Sequence, residues 1–132
     1  MSVWKPAFLI FLVLPYVQGQ SQQPSLPTVA GAAVPLYPPL ARVANVEGVV
    51  RLRIATDGQR VTSARVIEGN KMLAAAAEEN IHTWTFSRHE STAFVVTYRY
   101  RLTGDSHSDN PTVLLRLPKD VEISIPRHPR IN

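Results

Sequence analysis

The 132-residue chain carries 14 Lys and Arg against 10 Asp and Glu, a formal net charge of +4, and no cysteine. That length allows one domain, and the lack of cysteine excludes disulfides, thiol catalysis and lipid attachment through a thiol. The mild basic excess favours acidic peptides, cell-wall polymer or an anionic membrane surface over nucleic acid as partner, with an ordinary solvated surface as the alternative.

The chain opens MSVWKPAFLIFLVLPYVQGQ. Lys5 forms a positive leading region, residues 7–14 an unbroken apolar run, and Val17-Gln18-Gly19 a cleavage site, which predicts a signal peptide over residues 1–19 and a periplasmic or secreted mature protein. Retained, the same segment would anchor the chain in the inner membrane, although its apolar run is shorter than the ~20 residues that span a bilayer. Residues 20–35 are uncharged and rich in Gln, Pro and Ala, which reads as a flexible linker with a reach of only ~50 Å.

A compact domain is expected over residues 36–102. Residues 37–45 predict a short helix started by Pro38-Pro39, with Leu40 and Ala44 on one face and Asn45 as a left-handed cap; an irregular proline-started turn is the alternative. In residues 49–56, Val50, Leu52 and Ile54 alternate with Arg51 and Arg53, the period of a strand with one buried face. Asp57-Gly58 predicts a type I′ turn into a second strand, residues 60–68, whose parity requires a bulge near Thr62-Ser63. Gly69 breaks that strand and Asn70 caps a helix whose stripe is Leu73, Ala76, Ala77, Ile81 and Trp84. A third strand, residues 94–102, turns Phe94, Val96, Tyr98, Tyr100 and Leu102 to one side.

A right-handed crossover makes the third strand parallel to the second, so it pairs antiparallel with the first. The expected fold is therefore α+β: two helices on one face of a three-stranded antiparallel sheet in the order 2-1-3, with the third strand at an edge. Arg51, Arg53, Arg99 and Arg101 then share the outer face, and the bulge adds Arg65. Such a face is either solvated or a docking surface for an acidic partner or the chain's own tail. Residues 103–132 form an extension in which the runs 113–117 and 121–125 flank Pro118-Lys119-Asp120, a β-hairpin signal. Paired with the third strand, that hairpin would hide its edge.

Catalytic signatures are missing: there is no phosphate loop, GxSxG, HExxH or cysteine nucleophile. His82, His89, His107 and His128 lack ligand spacing. Glu78 and Glu79 diverge by ~100° on a helix, so they do not form an acid/base pair. Trp84 and Phe86 read as core plugs. The expectation is a non-enzyme with no catalytic residue, metal site or cofactor.

The pieces YPPLARVANVEG, GVVRLRIATDG, VTSARVIEG, the helix with Leu73 and Ala76-Ala77, Trp84-Thr85-Phe86 and the final strand occur in an order that resembles the C-terminal domain of TonB-type energy transducers. The resemblance covers residues 37–102 and departs from the family's pattern at Glu78, Asn80 and Ser87-Arg88. It implies a periplasmic domain that binds the N-terminal peptide of an outer-membrane receptor, or another envelope protein, by strand addition beside its last strand. Carried over, the contact residues are Thr97, Tyr98, Arg99, Tyr100 and Arg101, and a link to energy-dependent transmembrane transport is implied. The alternative is a structural envelope protein whose tail closes the edge and whose basic face, Arg51, Arg53 and Arg65, holds cell wall or an assembly partner. An open edge also allows a homodimer through strands.

Overall fold

In the computed structural model, residues 25–129 are described; the expected signal peptide lies outside them. Seven strands and two helices follow the order β1 (Val29–Gly31), α1 (Pro39–Val43), β2 (Gly48–Thr56), β3 (Val61–Glu68), α2 (Lys71–Ile81), β4 (Thr85–Phe86), β5 (Thr92–Thr103), β6 (Thr112–Arg116) and β7 (Asp120–Pro126).

The alternation in β2 and β5 folds as its period dictates. Val50, Leu52 and Ile54 are fully buried against Val96 and Tyr98, and the intervening arginines are exposed. β3 reaches its parity through the expected bulge: Thr56 pairs with Val61, then Ala55 with Ser63, leaving Thr62 as the extra residue. The turn differs from the expected type I′. Gly58 has φ +114°, but Asp57 keeps a negative φ. Its carboxylate accepts the Gln59 and Arg60 N–H groups at 3.1 and 3.0 Å, so the turn centres one residue later, on Gly58-Gln59.

Asn70 caps α2 by accepting the Met72 N–H at 2.9 Å. The buried stripe of α2 is Leu73, Ala74, Ala77, Asn80 and Ile81, and Trp84 beyond it is 1% exposed. α1 ends at a left-handed Asn45, φ 53°, as expected. Its inner face does not match expectation: Ala41 and Arg42 are buried, while Leu40 is 74% exposed. The short helix is positioned by Arg42 and by neighbouring Tyr37, whose hydroxyl donates to the Val46 carbonyl at 2.6 Å.

The expected three-stranded antiparallel sheet under two helices is overturned. The order β3-β2-β5 holds, but the sheet continues through β7 to β6, making five strands of mixed direction, and β1 with β4 forms a separate two-stranded sheet. The fold is mostly sheet, with two small helices. β7 lies parallel to β5, with Tyr98 beside Val121 and Tyr100 beside Ile123, and β6 returns antiparallel outside it. The physical reason lies in β7, whose Val121, Ile123 and Ile125 alternate with Glu122 and Ser124. One side therefore extends the core beyond Tyr98 and Tyr100, and the other sets a carboxylate among arginines.

The stretch expected as a linker also joins the domain over its described part. Val29 pairs with Phe86 and Gly31 with Thr85, Pro35 is buried, and the Ala33 N–H donates to Thr83 Oγ1 at 3.0 Å. The extended Thr85-Phe86 backbone presents a ladder that an uncharged neighbouring segment can satisfy.

Candidate binding surfaces

The strand expected to receive a partner, β5, is interior to the sheet. On one side it pairs with β2 from Gly48↔Tyr100 to Thr56↔Thr92. On the other, Thr97, Tyr98, Arg99, Tyr100 and Arg101 lie beside residues 120–124 of β7, and the Thr97 N–H donates to the Lys119 carbonyl at 2.7 Å. Tyr98 and Tyr100 are buried side chains that stack with ring centroids 6.3 Å apart, so only Thr97, Arg99 and Arg101 face outward. The edge position assigned to this segment is thus corrected: the chain's own tail fills it.

The tail is also fastened at its ends. Arg42 donates from Nε to the Pro126 carbonyl at 2.7 Å, from Nη2 to the Ser108 carbonyl at 3.0 Å, and from Nη1 to the Asp109 carboxylate. The Arg42 guanidinium, through that hydrogen bond and its charge, holds the Asp109 carboxyl below its usual range. Glu47 accepts the Leu102 N–H at 2.8 Å and sits 3.6 Å from Arg127. Arg101 approaches Glu122 at 3.4 Å. Sequence reasoning missed Arg42, Glu47 and Asp109. A basic residue inside a proline-started helix was a signal for Arg42, but nothing local pointed to its partners 66 to 84 residues away.

The outer face gathers the other predicted residues. Arg53 lies directly opposite Arg65 across β2 and β3, and Arg51 opposite Glu68. All three arginines are exposed. Among the described residues the ion pairs within 4 Å are Arg42–Asp109, Arg101–Glu122 and Arg127–Glu47. The tail therefore provides Arg101 with a carboxylate, while among the described residues no carboxylate lies within 4 Å of the Arg51, Arg53 or Arg65 guanidinium.

On the helix side, Asn80 is a buried polar hub. Its carbonyl oxygen accepts the Trp84 indole N–H at 3.1 Å and the Tyr98 hydroxyl at 2.8 Å, and its amide donates to the Ala33 carbonyl at 2.8 Å. An apolar cleft of about 210 Å³ opens beside it between Ala33, Leu36 and Ala76. Among the described residues no three His, Cys, Asp or Glu side chains gather closely enough to hold a metal ion. No helix among them is long and apolar enough to cross a membrane. No protein-family model matches the chain, and no curated protein matches it at a significant level.

Proposed function

We propose that the chain is a non-enzymatic, TonB-like protein-binding module of the cell envelope, with the edge of β5 covered by its own tail and its open face docking an acidic segment of an envelope partner on Arg51, Arg53 and Arg65. The observation that carries this reading is the directly opposed Arg53 and Arg65, exposed and, among the described residues, with no acid within 4 Å. Like charges directly opposite each other destabilise a strand pair. A surface shaped for stability alone would pair opposite charges there; an acidic ligand supplies the missing counter-charge. Export through the segment at residues 1–19 puts this face in the periplasm or outside the cell, and a mature chain that begins at Gln20 in the soluble envelope fraction is the expected finding.

Titration with a Glu/Asp-rich peptide at two salt concentrations tests the docking reading. Binding should weaken with salt, fall several-fold in Arg53→Ala and Arg65→Ala, and vanish in Arg65→Glu. That last variant should also be about 0.2–1 kcal/mol more stable, because it creates a cross-strand pair of opposite charge. Retention of purified cell wall without peptide binding would assign the face to wall polymer, and indifference to all three variants would sink the proposal.

A second reading follows from the resemblance, in which an outer-membrane receptor peptide adds beside residues 97–101 as part of energy-dependent transport. The pairing of β5 with β7 supports it in one respect, since this edge accepts a parallel strand. The obstacle is energetic. Val121, Ile123 and Ile125 are at most 7% exposed, and burying three such side chains contributes roughly 5–9 kcal/mol, against about 5–15 kcal/mol for a whole domain. A peptide must match that burial before the tail yields. Removal of residues 110–132 should therefore be necessary before receptor N-terminal peptides shift the Tyr98 and Arg99 amide signals; unmoved signals after removal reject this reading.

A further inference from the structure

The five-stranded sheet leaves two outer strands, β3 and β6, and they are built differently. The β3 register slips twice against β2, between Arg51 and Leu52 and between Ala55 and Thr56, and such bulges blunt an edge. β6 pairs with β7 without interruption from Thr112 to Arg116. It presents Leu114 and Leu115, each 47% exposed, with Leu117 following at 39%. Cross-strand partners share a face, so Leu114 stands with Glu122 on the outer face and Leu115 with Val121 on the helix face. α2 packs over β2 and β3, at the far side of the sheet. An edge without a bulge that exposes a leucine on each face invites another strand.

We propose that β6 pairs antiparallel with β6 of a second copy of this chain, centred on Leu114. The strand's self-complementarity singles out this occupant. In that register Leu114 meets Leu114, Val113 meets Leu115 at both ends, and Thr112 meets Arg116, so every apolar residue faces an apolar one on the same side of the sheet. No like charges oppose each other, because the two Arg116 side chains lie four residues apart along the strand, about 13 Å. A one-residue slip would put apolar residues of one copy opposite the wrong face of the other. The contact is isologous, as a twofold dimer requires, and it keeps both arginine faces on one side of a continuous sheet. It rests on β6 alone and stands independently of what those faces bind.

The cysteine-free chain makes the test direct. Opposed residues of an antiparallel pair have Cα atoms about 4.5–5.5 Å apart, within the range a disulfide spans. In the full chain, held in a mild non-denaturing detergent and oxidised, Leu114→Cys should become disulfide-linked dimer in most molecules. Ile67→Cys, on the β3 edge and 45% exposed, should remain largely uncrosslinked. Sedimentation of Leu114→Lys, which sets two ammonium groups against each other, should show at least a tenfold smaller dimer fraction at equal concentration, with unchanged circular dichroism. Equal crosslinking of both cysteine variants, a wild-type chain that is monomeric throughout, or a dimer indifferent to Leu114→Lys would each overturn the proposal.

Discussion

Arg42, in the first helix, donates from Nε to the carbonyl of Pro126, the last residue of the last strand, at 2.7 Å. The side chain is 6% exposed, so the tail is held by a buried guanidinium as well as by its strand ladder. Arg42→Ala removes donors from two carbonyls and one carboxylate, and should cost roughly 2–4 kcal/mol by urea unfolding. Arg42→Lys keeps the charge without the planar fork and should recover only part of the loss. Amide exchange should quicken in β7 before β2. The depressed Asp109 pKa adds a sign: its contribution is present above the ordinary value of 3.8 and is lost as pH falls through the lowered value. The acid-side fall in stability below about pH 4 should therefore be shallower in Arg42→Ala than in wild type.

Asn80 ties the helix, the Trp84 indole and the Tyr98 hydroxyl together. Asn80→Ala strands those two buried donors, a loss of roughly 2–4 kcal/mol. Combined with Tyr98→Phe, which removes one of the stranded groups, the total should be less than additive by about 1 kcal/mol. Denaturant midpoints of the four proteins in the cycle measure the coupling.

Gly69 has φ +133°, and a methyl group there would meet the Val50 Cγ2 at 2.8 Å and the Val50 Cα at 3.0 Å. Both the backbone conformation and the space exclude a side chain, so Gly69→Ala should destabilise the fold by about 2 kcal/mol or more. Gly104 has open space around its Cβ position, and Gly104→Ala should stay within about 0.5 kcal/mol of wild type. Parallel thermal melts make the comparison.

Three tyrosines make stability fall in alkali. Burial, then the Glu47 charge, pushes the Tyr37 hydroxyl up to about 12, and burial raises Tyr98 and Tyr100 as well. The unfolded chain ionises these groups from its ordinary value of 10.0, so above that pH it holds fewer protons than the native state, and stability declines as pH rises. The Tyr100 hydroxyl is buried without a hydrogen-bond partner. Tyr100→Phe should thus be neutral or stabilising by up to about 1 kcal/mol at pH 7, and should reduce the decline above pH 10. Phenolate absorbance followed alongside unfolding reports both effects.

The local elements were legible wherever a short-range rule acted alone. The alternation of Val50 to Ile54 and of Phe94 to Leu102, the Asn70 cap, the left-handed Asn45 and the Thr62 bulge all follow from period, capping chemistry and parity. The arginine face was legible for the same reason, since side chains two residues apart share a face of any strand. Tertiary structure alone decided what lies beside those elements. Whether the tail hairpin met β5 through its first or second strand depended on which one could extend the core past Tyr98 and Tyr100 while setting Glu122 beside Arg99 and Arg101, a match between residues far apart in the chain. The inward turn of Arg42 and the pairing of β1 with β4 were decided the same way. Their partners lie 54 to 84 residues away, beyond the reach of any local pattern.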